Sequence, residues 1–219
     1  MHKDVHMLIS IGSRCKTRFQ IDRFMEKLDP SYSPSSFFFD YLMDGGLGGV
    51  IDIISRDFTI TKEDIDILES KGKFIPREKS SGFIFLHHFG TLHQWWNSHE
   101  ECILAIRNSL DESLAKFSHL GAKTQQLLSG GQRVGLVFAG QEPGERFRQL
   151  QELLQSKYGR DHLIVNVLER GQEHSVDDGS VLNLFVDDAL SPKKGTPQAW
   201  QGWDDTWFAA LSKIPLIPA

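Results

Sequence analysis

The chain has 219 residues, enough for one large domain or two small ones, and its 40% hydrophobic and 24% charged composition excludes a disordered, collagen-like or disulfide-stapled chain. A net charge of -5, with basic residues scattered along the chain, leaves no broad phosphate-backbone footprint, so nucleic acid is not an expected partner. No run approaches the roughly 20 apolar residues of a membrane span, and Cys15 and Cys102, without a secretory signal, read as reduced thiols of a cytoplasmic protein.

The N-terminal apolar stretch is too short and too polar for a signal peptide, and Val5 to Ile11 reads as a buried strand. Gly12-Ser13 then opens a helix whose apolar face uses Phe19, Phe24 and Leu28 and which Pro30 and Pro34 end. The aromatic run Phe37-Phe38-Phe39-Asp40-Tyr41, followed by Gly45, Gly46, Gly48 and Gly49, predicts a packed turn with a carboxylate inside. Thr61 and Asp64 read as the capping pair of a helix through Leu68 that stops at Gly72. Gly82 to Phe89 reads as a strand that places His87 and His88 on opposite faces. Ser98 and Glu101 cap a long helix with the stripe Ile103, Ile106, Leu110, Leu114 and Phe117, ending at Gly121.

From Val134 the rhythm is strand (to Ala139), helix (Pro143 to Gly159), strand (Leu163 to Leu168) and strand (Val181 to Val186), followed by a tryptophan-bearing final helix. Apolar β-branched runs alternating with amphipathic helices predict a mostly parallel sheet flanked by helices. The expected fold is one α/β domain over residues 1–219, a Rossmann-like three-layer sandwich with an aromatic-rich helical or loop insertion after the first helix.

Cys15 falls in the first turn after a buried strand, where unpaired amides and the helix dipole favour negative charge. A thiol lowered from about 8.5 to ~6 would be mostly nucleophilic at neutral pH, and Arg14, Lys16 and Arg18 stand close enough in sequence to add to the effect. A buried cysteine packing as a small hydrophobe fits the same position. A nucleophilic thiol needs a base and a group that orients it, which directs attention to His87, His88 and Asp40. Each has a plain alternative: a satisfied core histidine beside a surface one, and a turn carboxylate.

Neither CxxC nor HExxH is present, so no metal or other cofactor is expected, and His93 and His99 are set apart from the strand. The segments Gly12 to Lys16 and Gly140 to Gly144 could cradle a phosphate with their amides, though neither is a GxGxxG or Walker pattern. Trp95, Trp96, Trp200, Trp203 and Trp207 could line a groove, with core or interface packing the expected use.

Together, ISIGSRC, SSFFFDYL and FIFLHHF resemble a bacterial family of unknown function described as papain-like cysteine peptidases. The resemblance covers mainly residues 8–90. It aligns Gly12 and Cys15 with a glycine-to-cysteine motif, Phe39, Asp40 and Tyr41 with a Phe-Asp-aromatic motif, and His87, His88 and Phe89 with a strand ending in histidine. Where the family often has an acidic residue this chain has His88, and the alignment of Phe89 favours His87 as the imidazole facing the thiol. A papain-like fold would need an antiparallel barrel, whereas the later half here reads as parallel α/β.

The resemblance implies a cysteine-dependent hydrolase or acyl transferase acting on a peptide or small acyl or amide substrate. Cys15 would be the nucleophile, His87 the base and Asp40 its orienter. The alternatives are a Rossmann-like transferase or nucleotide-sugar-binding protein, and a non-catalytic interaction module.

Overall fold

The computed structural model describes residues 4–12, 14–40, 42–90, 95–172, 181–193 and 195–217, with Leu190 described by its backbone alone. In chain order the elements are β1 (Met7–Ser10), α1 (Cys15–Leu28), β2 (Met43–Asp44), α2 (Gly46–Ser55), β3 (Ile65–Ser70), β4 (Lys73–Glu78), β5 (Phe83–Ile84), α3 (His99–Ser129), β6 (Val134–Ala139), α4 (Gly144–Tyr158), β7 (Leu163–Glu169), β8 (Val181–Val186) and α5 (Asp204–Leu211). They form an α/β fold with two sheets: a parallel one in the order β1-β6-β7-β8 and a separate antiparallel one in the order β2-β5-β4-β3.

Every residue of β6 is buried, as befits a strand covered on both faces. Its alternation sends Val134, Leu136 and Phe138 into one apolar cluster with Val50 of α2, Leu120 of α3 and Phe147 of α4. Val137 and Ala139 join another with Ile21 and Phe24 of α1 and Trp207 and Leu211 of α5. Beyond the ladder of β1, Val5 bridges Leu216 in parallel, its amide donating to Pro215 O at 2.8 Å while Ile217 N donates to Val5 O at 2.9 Å.

Four sequence expectations need correction. The Thr61–Asp64 capping box forms, but it starts only a 3-10 turn, Lys62–Asp64, and residues 65–70 are strand β3. Lys71 and Gly72 both have left-handed φ, +52° and +70°, the conformation that joins β3 to β4 in a tight hairpin, so Gly72 is a turn residue and not a helix stop. Gly82 to Phe89 is not one strand either: pairing ends at Ile84, His88 N donates to Phe85 O at 3.4 Å, and Phe89 has φ +53°. Helix α3 passes through Gly121 to Ser129, because the glycine serves close packing there; a Cβ would lie 2.7 Å from Phe58 Cβ. In α1, Leu28 is 57% exposed, and the buried positions besides Ile21 and Phe24 are the polar Thr17, Arg18 and Gln20.

Candidate active site

The chain leaves β1 through Gly12, whose φ of +98° is a conformation that glycine adopts without strain. A side chain there would also meet the Phe83 ring at 3.0 Å. Arg14 is extended at the N-cap, and Cys15 is the first residue of α1, as the sequence predicts. Its Sγ lies 3.2 Å from His87 Nε2, within sulfur hydrogen-bond reach. The two side chains come from different sheets, Cys15 from the end of β1 and His87 from the irregular turn after β5.

The adjacent histidines therefore part company, and His87 is the one that meets the thiol. His88, the other histidine named from the sequence, packs among aromatic side chains. Its ring lies 4.5 Å from that of Phe117 and edge-on to Phe85 at 6.2 Å, and burial lowers its pKa to about 3. It is a neutral core imidazole, because charging it inside an aromatic cluster would forfeit its hydration.

Asp40 is 2% exposed inside the aromatic turn. Its Oδ2 accepts from Phe37 N at 2.8 Å and lies 3.5 Å from Arg18 Nε, and among the described residues it makes no hydrogen bond to His87. Burial raises its pKa to about 6, against the lowering by Arg18. Arg18, itself buried, also bonds Asp22 Oδ1 at 2.7 Å.

The expected acidification of Cys15 is not found. Desolvation raises its pKa, a hydrogen bond from its own backbone amide lowers it, and the Asp40 charge raises it further. The cations expected to help have other partners: Arg14 Nη1 is 2.8 Å from Glu169 Oε1, Lys16 Nζ is 2.6 Å from Asp188 Oδ2, and Arg18 serves the two aspartates. Glu169 ends β7 and Asp188 follows β8, so sequence proximity misled where the parallel sheet supplied the counter-ions.

Cys15 and His87 open into a cleft of about 850 Å³, lined also by Arg14 and Lys16 and by the apolar Met43, Leu86 and Trp200. Met43 and Leu86 carry no sequence signal for such a role; Trp200 stands among the tryptophans considered for a groove. By contrast Trp207 is a core residue, 1% exposed.

In the second of the alternative phosphate-cradling segments Glu142 accepts from Leu47 N at 3.0 Å, and the space between Arg14, Lys16, Gly140 and Glu169 is about 10 Å³, near the minimum of ~10–15 Å³ that a single water needs. Among the described residues no helix is long and apolar enough to cross a membrane, and no cluster of three or more His, Cys, Asp or Glu could hold a metal ion. His99 packs edge-on against Phe74 at 5.7 Å. Ser13, Tyr41 and His93, named from the sequence, lie outside the described residues. No family model, no curated protein and no solved structure matches the chain.

Proposed function

We propose that this chain is a cysteine-dependent hydrolase or acyl transferase acting on a peptide or small acyl or amide substrate. The observation that carries the reading is the 3.2 Å approach of Cys15 Sγ to His87 Nε2 at a cleft large enough for such a substrate. The resemblance to papain-like cysteine peptidases points the same way, and we read the α/β architecture, with its parallel sheet β1-β6-β7-β8, as a Rossmann-like three-layer frame for that chemistry. A reduced, free Cys15 suits a cytoplasmic setting.

Because burial and Asp40 raise the thiol pKa, a standing thiolate is disfavoured and the proton must leave during attack. His87 Nε2 takes the Sγ proton as the Sγ–carbon bond forms and the carbonyl electron pair moves onto oxygen. The first turn of α1 offers Lys16 N–H to that oxyanion, with Cys15 N–H, which bonds the sulfur before attack, as a second donor. Collapse breaks the bond to the leaving amine or alcohol, which receives the proton from His87. Water or a second acceptor, deprotonated by the same imidazole, then cleaves the thioester. Asp40 acts through space, its carboxylate opposing the thiolate while favouring the imidazolium.

Cys15→Ala is expected to abolish turnover and labelling by a thiol-directed electrophile, read by mass spectrometry with melting temperature as the control for folding. Undiminished turnover in that variant would remove the mechanism.

A further inference from the structure

The cleft beside Cys15 is much larger than a thiol and an imidazole require: about 850 Å³, near the upper end of the ~300–1,000 Å³ typical of small-molecule sites. Its apolar lining comes from three separate places, Met43 on β2, Leu86 in the turn before His87, and Trp200 in the 3-10 turn Ala199–Gln201. Trp200 is 52% exposed, yet its ring is braced edge-on against Phe19 of α1 at 5.3 Å. A large aromatic surface is thus held in place beside the thiol and left uncovered, and covering it is favourable for any apolar group that enters. The charged lining residues have little to offer an anion. Arg14 is 2.8 Å from Glu169, and Lys16 is 2.6 Å from Asp188 and 3.6 Å from Glu169, so a substrate carboxylate or phosphate would compete with carboxylates already in place.

We infer that the cleft selects an uncharged, apolar acyl group of several carbons next to the carbonyl that Cys15 attacks, with Trp200 as the specificity-determining residue. This substrate class rests on the thiol-acylation chemistry proposed above.

The test uses the full chain and p-nitrophenyl esters from acetyl to octanoyl, with the hemisuccinate as the charged counterpart of the butanoyl ester. In each, the Sγ–acyl bond forms, the acyl–oxygen bond breaks, p-nitrophenolate departs with the electron pair, and water then takes the acyl group. kcat/KM is expected to rise roughly fourfold per methylene over the first several carbons, the transfer value of a buried CH₂. The hemisuccinate is expected to react more slowly than the butanoyl ester. Trp200→Ala should flatten the rise and Trp200→Phe should keep most of it. A wild-type profile flat in chain length, or a hemisuccinate faster than the butanoyl ester, overturns the inference. N-alkyl chloroacetamides of the same lengths, read as alkylation of Cys15 by mass spectrometry, separate it from the catalytic reading. Length-dependent alkylation without ester turnover keeps the apolar cleft and removes the hydrolase; turnover flat in length does the reverse.

Discussion

Along the parallel sheet, β1 pairs with β6 over four residues, β6 with β7 over five and β7 with β8 over six, while in the antiparallel sheet β5 meets β2 at two positions and β4 at one. Backbone strain follows the same division. All the non-glycine residues with positive φ among those described, Asp44, Asp57, Phe58, Lys71 and Phe89, lie between β2 and the segment that carries His87. Such conformations cost on the order of 1–3 kcal/mol each and persist only where the surroundings over-determine them. Cys15 is thus presented by regular ladders, whereas His87 is presented by irregular backbone wedged among phenylalanines. A contact between side chains from two such regions, Cys15 and His87, is sensitive to the second long before the first gives way.

The sharpest way to break this comparison is to exchange the roles of the neighbouring histidines. His87→Ala is expected to lower kcat by about 10²–10⁴-fold with little change in stability, the range for losing a general base. His88→Leu is expected to leave kcat near wild type and to cost ~1–3 kcal/mol in urea denaturation, through loss of the fitted ring against Phe117. A catalytic loss in the second variant equal to that in the first would erase the distinction.

Acid titration sharpens it further. His88 has a folded pKa of about 3 against an ordinary 6.5, so its contribution is complete above about 6.5 and is lost as the pH falls toward 3. Burial lowers His162 as well, with the same sign. Asp40 runs the other way: raised from 3.8 to about 6, it favours the fold below 3.8 and loses that contribution as pH rises through 6. Each group can contribute a slope of up to ~1.4 kcal/mol per pH unit inside its window. With His88 and His162 set against Asp40 and Asp22, whose pKa burial also raises, the opposing slopes partly cancel in the wild type between about pH 4 and 6. Asp40→Asn should make it fall as the solution is acidified, and His88→Leu should tilt it the opposite way. Urea melts across that window read both slopes; two variants tilting alike would refute the assignment.

Smaller effects come from the glycines. Gly12→Ala, strained at φ +98° and against Phe83, is expected to cost about 1–3 kcal/mol and to slow alkylation of Cys15 by displacing α1. Gly72→Ala, in the remote hairpin with nothing within 4 Å of its Cβ position, is expected to cost ~1 kcal/mol and to leave the alkylation rate unchanged. Melting curves paired with iodoacetamide kinetics distinguish the two.

How much of this was legible in the sequence divides along the same line. Strands β6 and β7 announced themselves because buried strands are near-continuous apolar runs, and α3 because Ser98 and Glu101 mark its start. Cys15 at the first turn of α1 followed from the strand and Gly12. Residues 65–70 misled because a true capping box precedes them, and only the pairing with β4 decides for strand. The split between His87 and His88 could not follow from alternation, since the backbone there is no strand. Nor could the partners of Arg14 and Lys16, at 155 and 172 residues' remove in the sequence, which arise only when the parallel sheet closes.

The bridge from Val5 to Leu216 bears on how the thiol comes to be ready. The imidazole that meets Cys15 stands at 87, the neighbour of its strand at 134 and the outer clasp beside that strand at 216. Contacts so distant along the chain form late. A chain cut short before residue 214 would lack the partner of Val5 beside β1, so the close approach of His87 to Cys15 should be complete only once residues 214–217 have docked.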